Sequence, residues 1–183
     1  MKTLKNTRLR LEPLEMAHTP LLLPIAMEDK LVQYSPSDID QPDTLRAYIA
    51  KALSDHADGS AIPFAIFDKR IDSYAGCTRY MNIDSTNKVA EIGSTWIGRA
   101  FQGTGLNTAM KHLMLHHGFG ALGFEKIEFR IDERNMRSRK AVEKIGAVLE
   151  GVLRENVYLL DGYKRNTCCY GILKKEWDPI PEP

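Results

Sequence analysis

Gln102-Gly103-Thr104-Gly105-Leu106-Asn107 joins a strand-like stretch at 89–97 to an amphipathic helical stretch at 106–117. Two glycines at a strand-to-helix junction let the backbone approach a ligand with no Cβ in the way. The first N–H groups of a helix have no intrahelical partners, and the helix dipole places partial positive charge there. The hexapeptide therefore reads as an anion site. A tight turn without a ligand would use the same two glycines, so the neighbouring residues must decide.

Two nucleotide motifs fail on those neighbours. Gly98-Arg99-Ala100-Phe101-Gln102-Gly103 has the glycine spacing of a P-loop, but Thr104 stands where the lysine must reach the terminal phosphates. A dinucleotide fingerprint on Gly103 and Gly105 needs a third small residue at Thr108 and a parallel βαβ setting. The stretches before it, at 62–67, 74–83 and 89–97, are joined by short polar turns and read as an antiparallel meander.

Outward from the turn, alternation of threonine and leucine with arginine at 7–11 predicts an opening strand. The segment 15–29 reads as helical in parts, with Pro20 and Pro24 starting or interrupting helices rather than sitting within them. A better helix is predicted at 43–55, where Leu45, Tyr48, Ile49, Ala52 and Leu53 share a face. Ile127, Phe129 and Ile131 alternate in a half-buried strand at 126–131, and a short helix follows at 138–145. Two closing strands, 149–160 and 163–173, flank the hairpin dipeptide Asp161-Gly162. The expected fold is α+β (mixed α/β), with helices flanking one central, mostly antiparallel twisted sheet.

The 183 residues fit a single domain spanning 1–183, large enough for its own core. A formal net charge of +1 and no basic stripe give no argument for nucleic acid. The longest apolar run, at 21–27, falls far short of the roughly 20 residues that span a bilayer. Residues 1–10 lack a signal-peptide pattern. Cys77, Cys168 and Cys169 form no disulfide framework, so a reducing cytoplasm is expected. His112 and His116 lie one helical turn apart without an acidic partner, so no metal site is predicted.

Several motifs together resemble one family. Gln102-x-x-Gly105-x-Asn107 is similar to the acetyl-CoA loop of the GNAT (Gcn5-related) N-acetyltransferases. Asn135-x-x-Ser138 followed by Glu143-Lys144-Ile145-Gly146 resembles that family's second motif. Glu150-Gly151-Val152-Leu153-Arg154, then Asp161-Gly162 and Glu176-Trp177, resembles its RimJ/RimL-like type, which includes N-terminal acetylases of ribosomal proteins. Asn107 departs from the usual small Gly or Ala, and Val142 stands where many relatives carry a tyrosine.

The resemblance implies a splayed strand pair, acetyl-CoA as co-substrate and no metal. Gln102, Gly103, Thr104, Gly105, Leu106, Asn107 and Thr108 would cradle the pyrophosphate. Backbone at Thr95, Trp96 and Ile97 would pair with the pantetheine arm, and an N–H near Trp96 would polarise the thioester. Asn135 would bond the pantetheine or order a turn; Arg99, Arg137, Arg139 and Lys140 are candidates for the terminal phosphate.

Glu91, eleven residues before Gln102, stands where some histone-acetylating members carry their base. By strand alternation it would share a face with Gly93, Thr95 and Ile97, and partial burial would raise its pKa. Ser138 could donate to the departing sulfur or cap a helix. The expected activity is acetyl transfer to a primary amine, in a small molecule or at a protein N-terminus, by direct attack in a ternary complex. A silent acyl-CoA-binding module is the alternative. Acidic residues between 28 and 58, such as Glu28, Asp29 and Asp38, would favour a cationic acceptor. A homodimer is plausible from the family alone.

Overall fold

The computed structural model describes residues 2–177. Eight strands form one sheet in the order β1-β2-β3-β4-β5-β6-β8-β7. They are β1 (Leu4–Lys5), β2 (Leu9–Pro13), β3 (Ile62–Asp68), β4 (Ser73–Asp84), β5 (Val89–Ile97), β6 (Lys126–Asp132), β7 (Val148–Tyr158) and β8 (Lys164–Leu173). The helices are α1 (Thr19–Ala26), α2 (Pro42–Ala57), α3 (Leu106–Gly120) and α4 (Met136–Glu143). Every strand pair is antiparallel except β5 with β6, which α3 connects as a crossover. The mixed, mostly antiparallel expectation therefore holds. Pro24 differs from it: it lies inside α1. An eight-residue helix accommodates it because the missing N–H falls in the last turn, where only one internal bond is lost.

Two cores sandwich the sheet. On one face Met110, Met114, Leu115 and Phe119 of α3 pack with Ala90, Ile92, Ile127 and Phe129. On the other face Leu22 and Ala26 of α1, with Leu45, Ile49 and Ala52 of α2, pack on Ala65, Cys77 and Trp96. Each such fully buried Leu, Ile or Met contributes roughly 1.5–3 kcal/mol of transfer free energy.

The strand that crosses the middle of the molecule changes phase partway. Cys77 lies opposite Trp96, but Arg79 lies opposite Gly93, so β5 carries one extra residue. Ser94 absorbs it with a left-handed φ of 47°, which makes a β-bulge. Ala90 and Ile92 face α3 before the bulge, and Ile97 faces α3 after it, while Trp96 turns to α1 and α2. Strict alternation had put Glu91, Gly93, Thr95 and Ile97 on one face. The bulge corrects this: the Thr95 hydroxyl meets the Thr78 hydroxyl at 2.8 Å, and Thr78 in turn reaches the sulfur of Met114 on α3.

The pairing of β5 with β6 is short. Val89, Ala90 and Glu91 pair with Lys126, Ile127 and Glu128, and beyond that the strands part. At the far edge β7 pairs only with β8 and exposes both its faces, including Val148, Leu149, Val152 and Leu153.

Candidate active site

The gap between β5 and β6 opens into a cleft of about 640 Å³, reached from Ser94, Trp96 and Ile97 on one side and Phe129 to Asp132 on the other. At one end stands the glycine turn. Gly103 and Gly105 adopt φ of 76° and 86°, and Gly105 is the N-cap of α3. Only glycine takes these values without strain, and a Cβ at either would meet nothing within 4 Å. The glycines therefore serve backbone shape and leave the outer surface of the turn open. Thr104 closes the turn internally: its hydroxyl donates to the Phe101 carbonyl at 2.7 Å and receives a bond from Arg8.

Other residues assigned to the carrier divide clearly. Gly103, Gly105, Asn107, Thr108 and Asn135 line the cleft. Leu106 is fully buried in the α3 core and offers only its backbone. The Gln102 amide donates to the Ile97 carbonyl at 2.8 Å and accepts from Arg137, so this side chain braces the turn. The indole of Trp96 is buried and donates to the Tyr48 hydroxyl at 3.3 Å. Arg139 points elsewhere: its guanidinium donates to the Tyr170 hydroxyl and the Glu133 carbonyl and does not line the cleft. Arg99 is held by Glu28 and Asp29, whereas Arg137 and Lys144 line the cleft. None of the acidic residues between 28 and 58 lines it.

Glu91 sits at the fork itself, on the last pair that β5 makes with β6. Asn82 donates to its Oε2 at 2.8 Å, and Arg130 lies 3.6 Å from the same oxygen. Oε1 has no hydrogen-bond partner among the described residues and lies beside Gly93, where a Cβ would come within 2.9 Å of it. Burial pushes the carboxyl above its ordinary range, opposed by the Asn82 bond and the Arg130 charge. Asn82 occupies a second irregularity, with φ 51° and a register shift between Met81 and Asp84. One bulge of β4 thus aims an amide at the carboxylate that the next strand presents.

Two contacts hold the bulge of β5 beside the parted strands. The Tyr48 hydroxyl of α2 donates to the Ser94 carbonyl at 3.1 Å, and desolvation pushes its pKa up to about 12, so it stays a donor. At Gly76 a Cβ would lie 1.9 Å from the Trp96 carbonyl oxygen, so no side chain fits where β4 meets the far side of the bulge. Sequence reasoning missed Tyr48 and Asn82 because their roles rest on contacts across strands and helices. It also missed Lys111, a buried cation of α3 that lines the cleft, which was visible as a charge inside an apolar helical stripe.

On α4 the N-cap is Asn135, whose Oδ1 accepts from the Ser138 N–H at 3.1 Å. Ser138 is not the cap; its hydroxyl makes no bond to a described residue, and the residue lines the cleft. The other end of the cleft is walled by the 30–37 segment. Arg165 donates to the Tyr34 carbonyl at 2.8 Å, and Arg134 lies 3.7 Å over the Tyr163 ring and 5.5 Å over the Tyr34 ring. Asp132 orients Arg134 through two bonds; burial would raise its pKa, but that guanidinium holds it below the usual carboxylate value.

This arrangement can receive an anionic chain at the α3 turn, lay it between parted strands, and present a carboxylate at the fork. Known proteins share the fold. A crystal structure of a provisionally named acetyltransferase from T. thermophilus superposes with a TM-score of 0.84 at 32% identity, covering 97% of this chain and 92% of that one. A Bacillus subtilis (strain 168) protein, provisionally named ribosomal N-acetyltransferase YdaF, is 32% identical over 106 residues, which is 58% of this chain and 57% of the relative. The Escherichia coli (strain K12) ribosomal-protein-serine acetyltransferase is 33% identical over 110 residues, 59% of each chain. The chain thus spans somewhat over half the length of these two relatives. The family model described as an acetyltransferase (GNAT) domain matches residues 8–148, and the chain belongs to the GNAT acetyltransferase family.

Proposed function

We propose that this chain is an acetyl-CoA-dependent N-acetyltransferase that works by direct attack of a primary amine in a ternary complex. The observation that carries the reading is Glu91. It is a buried carboxylate with one free oxygen, placed where β5 and β6 part, in the same cleft as the open N-terminus of α3. N–H groups from Gly103 to Thr108 would hold the pyrophosphate, with Arg137 and Lys144 available to phosphate oxygens. Free backbone of β5 around the Ser94 bulge would pair with the pantetheine arm and donate to the developing oxyanion. Glu91 would take the ammonium proton, directly or through water. Ser138 would donate a hydrogen bond to the sulfur.

The names of the B. subtilis and E. coli relatives support a protein N-terminal amine, ribosomal in origin, as acceptor. That substrate would place the enzyme in the cytoplasm. The test is calorimetric titration with acetyl-CoA, followed by a free-thiol assay against N-terminal peptides and small amines. The expected result is one-to-one binding and CoA release with peptides. Binding without release across the whole panel would instead make the chain a silent acyl-CoA module.

A further inference from the structure

Lys111 is the only charged side chain among the buried residues of α3, in a stripe shared with Met110, Met114, Leu115 and Phe119. It is 7% exposed, lines the cleft, and places its Nζ 5.5 Å from the centre of the Phe129 ring. It has no hydrogen bond or ion pair to any described residue. A buried cation without a counter-charge is costly, and such groups gather at functional sites. The stripe meets the sheet at this level where the strands have parted, so the ammonium faces the cleft instead of apolar cover.

Its position along the helix is informative. Asn107 belongs to the anion-binding turn, and Lys111 lies one turn further, about 6 Å along the axis. That puts it beneath the span between the phosphate end and the Glu91 fork, where the carrier's sulfur would lie. Charged groups on the surrounding elements are engaged elsewhere. Glu91 of β5 holds Asn82 and Arg130, and Asp132 of β6 holds Arg134. Glu143 and Arg139 of α4 hold Tyr170, Arg137 holds Gln102, and Arg165 of β8 holds the Tyr34 carbonyl. Lys144, the C-cap of α4, is exposed at the cleft rim. Burial alone lowers the Lys111 amine to about 8, close to an ordinary thiol. Val142 supplies no proton here, and the neutral Ser138 hydroxyl can donate a hydrogen bond but does not give its proton up near pH 7.

We propose that Lys111 is the proton donor to the departing CoA sulfur, an inference that rests on the acetyl-transfer reading above. As the amine nitrogen forms its bond to the acetyl carbon, the C–S bond breaks and its electron pair goes to sulfur. A proton passes from Lys111 Nζ to that sulfur, leaving CoA thiol and a neutral lysine. Glu91 takes the proton lost by nitrogen, and solvent then clears Glu91 and recharges Lys111.

A readout without an acceptor separates the two readings: the ultraviolet absorbance of thiolate, followed through a pH titration of the enzyme–CoA complex. The bound thiol should ionise about tenfold more readily in the wild type than in Lys111→Met. With a peptide acceptor, Lys111→Met should lose about 100-fold in kcat with acetyl-CoA KM within about threefold. Lys111→Arg should keep the acidified thiol yet remain slow, since arginine does not release its proton. Should Lys111→Met fail to fold, Lys111→Gln carries the same comparison. Identical thiol titrations in wild type and variant would overturn the assignment of Lys111 alone. Absence of CoA binding by the wild type would overturn the acetyl-transfer reading as well.

Discussion

The two ends of the cleft are built by different means. The end proposed for the acetyl donor is backbone: a glycine turn, a helix terminus and a bulged strand, all within 94–108. The other end, which we propose receives the acceptor, is side chains from distant parts of the chain. Arg165 reaches the Tyr34 carbonyl across 131 positions of sequence, and Arg134 stacks on Tyr163 of the closing hairpin. A backbone cradle suits a ligand that never changes, because few substitutions alter it. A side-chain wall can be remodelled without disturbing that cradle. The difference predicts that the ends respond independently to substitution.

Glu91→Gln gives the largest effect, because Glu91 stands where the ends meet. We expect kcat to fall by about 10²- to 10⁴-fold with acetyl-CoA affinity unchanged in calorimetry. As the proposed base, Glu91 must be ionised, and burial raises its pKa above the ordinary 4.5. Wild-type kcat/KM should therefore rise with pH on an acid limb centred above that value, and the Gln variant should lack the limb. A shifted acetyl-CoA affinity would show that the two ends are coupled through this residue.

Lys111→Met should stabilise the fold. Burial lowers the lysine to about 8 in the folded chain against 10.5 unfolded, so its charge opposes folding fully below about pH 8. The unfolded chain binds more protons between those values, and the penalty fades as pH rises through them. Urea unfolding should show a gain of about 3 kcal/mol at about pH 7, shrinking toward about pH 10.5. An equal gain at both pH values would point to packing instead of charge.

Gly105→Ala tests the donor end alone. Its φ of 86° would cost an alanine about 1–2 kcal/mol, with no clash for the added methyl. Acetyl-CoA KM should rise roughly tenfold while acceptor KM stays put. The mirror experiment, Arg165→Met, removes the tie to Tyr34 and costs about 1 kcal/mol. Steady-state kinetics should show acceptor KM up several-fold and acetyl-CoA KM unmoved; the opposite pattern would break the division between the ends.

This division also explains what the sequence made legible. The strand order of the meander, the crossover helix and the glycine turn depend on periodicity and local turn chemistry, so they could be read. Ser94 could not: Gly93-Ser94-Thr95 reads as ordinary strand, and its left-handed residue is held by Tyr48, 46 positions away. For Arg139, helix position alone does not say that Tyr170 and the Glu133 carbonyl will claim its guanidinium. The wall around Tyr34 was illegible for the same reason, since Arg165 meets it only once the sheet has closed.

At high protein concentration, the outer strand β7 is the surface on which a second chain would most readily extend the sheet. It carries Val148, Leu149, Val152 and Leu153 into solvent, the composition of an aggregating edge. Yet its ladder slips between Leu149 and Gly151 and again between Leu153 and Val157, with Glu155 at a φ of 44°. An incoming strand would find no long, evenly spaced row of amides to zip onto. Colloidal behaviour then rests on misalignment as well as charge, and a substitution that straightened Glu155 would leave the active site intact while making the protein harder to keep in solution.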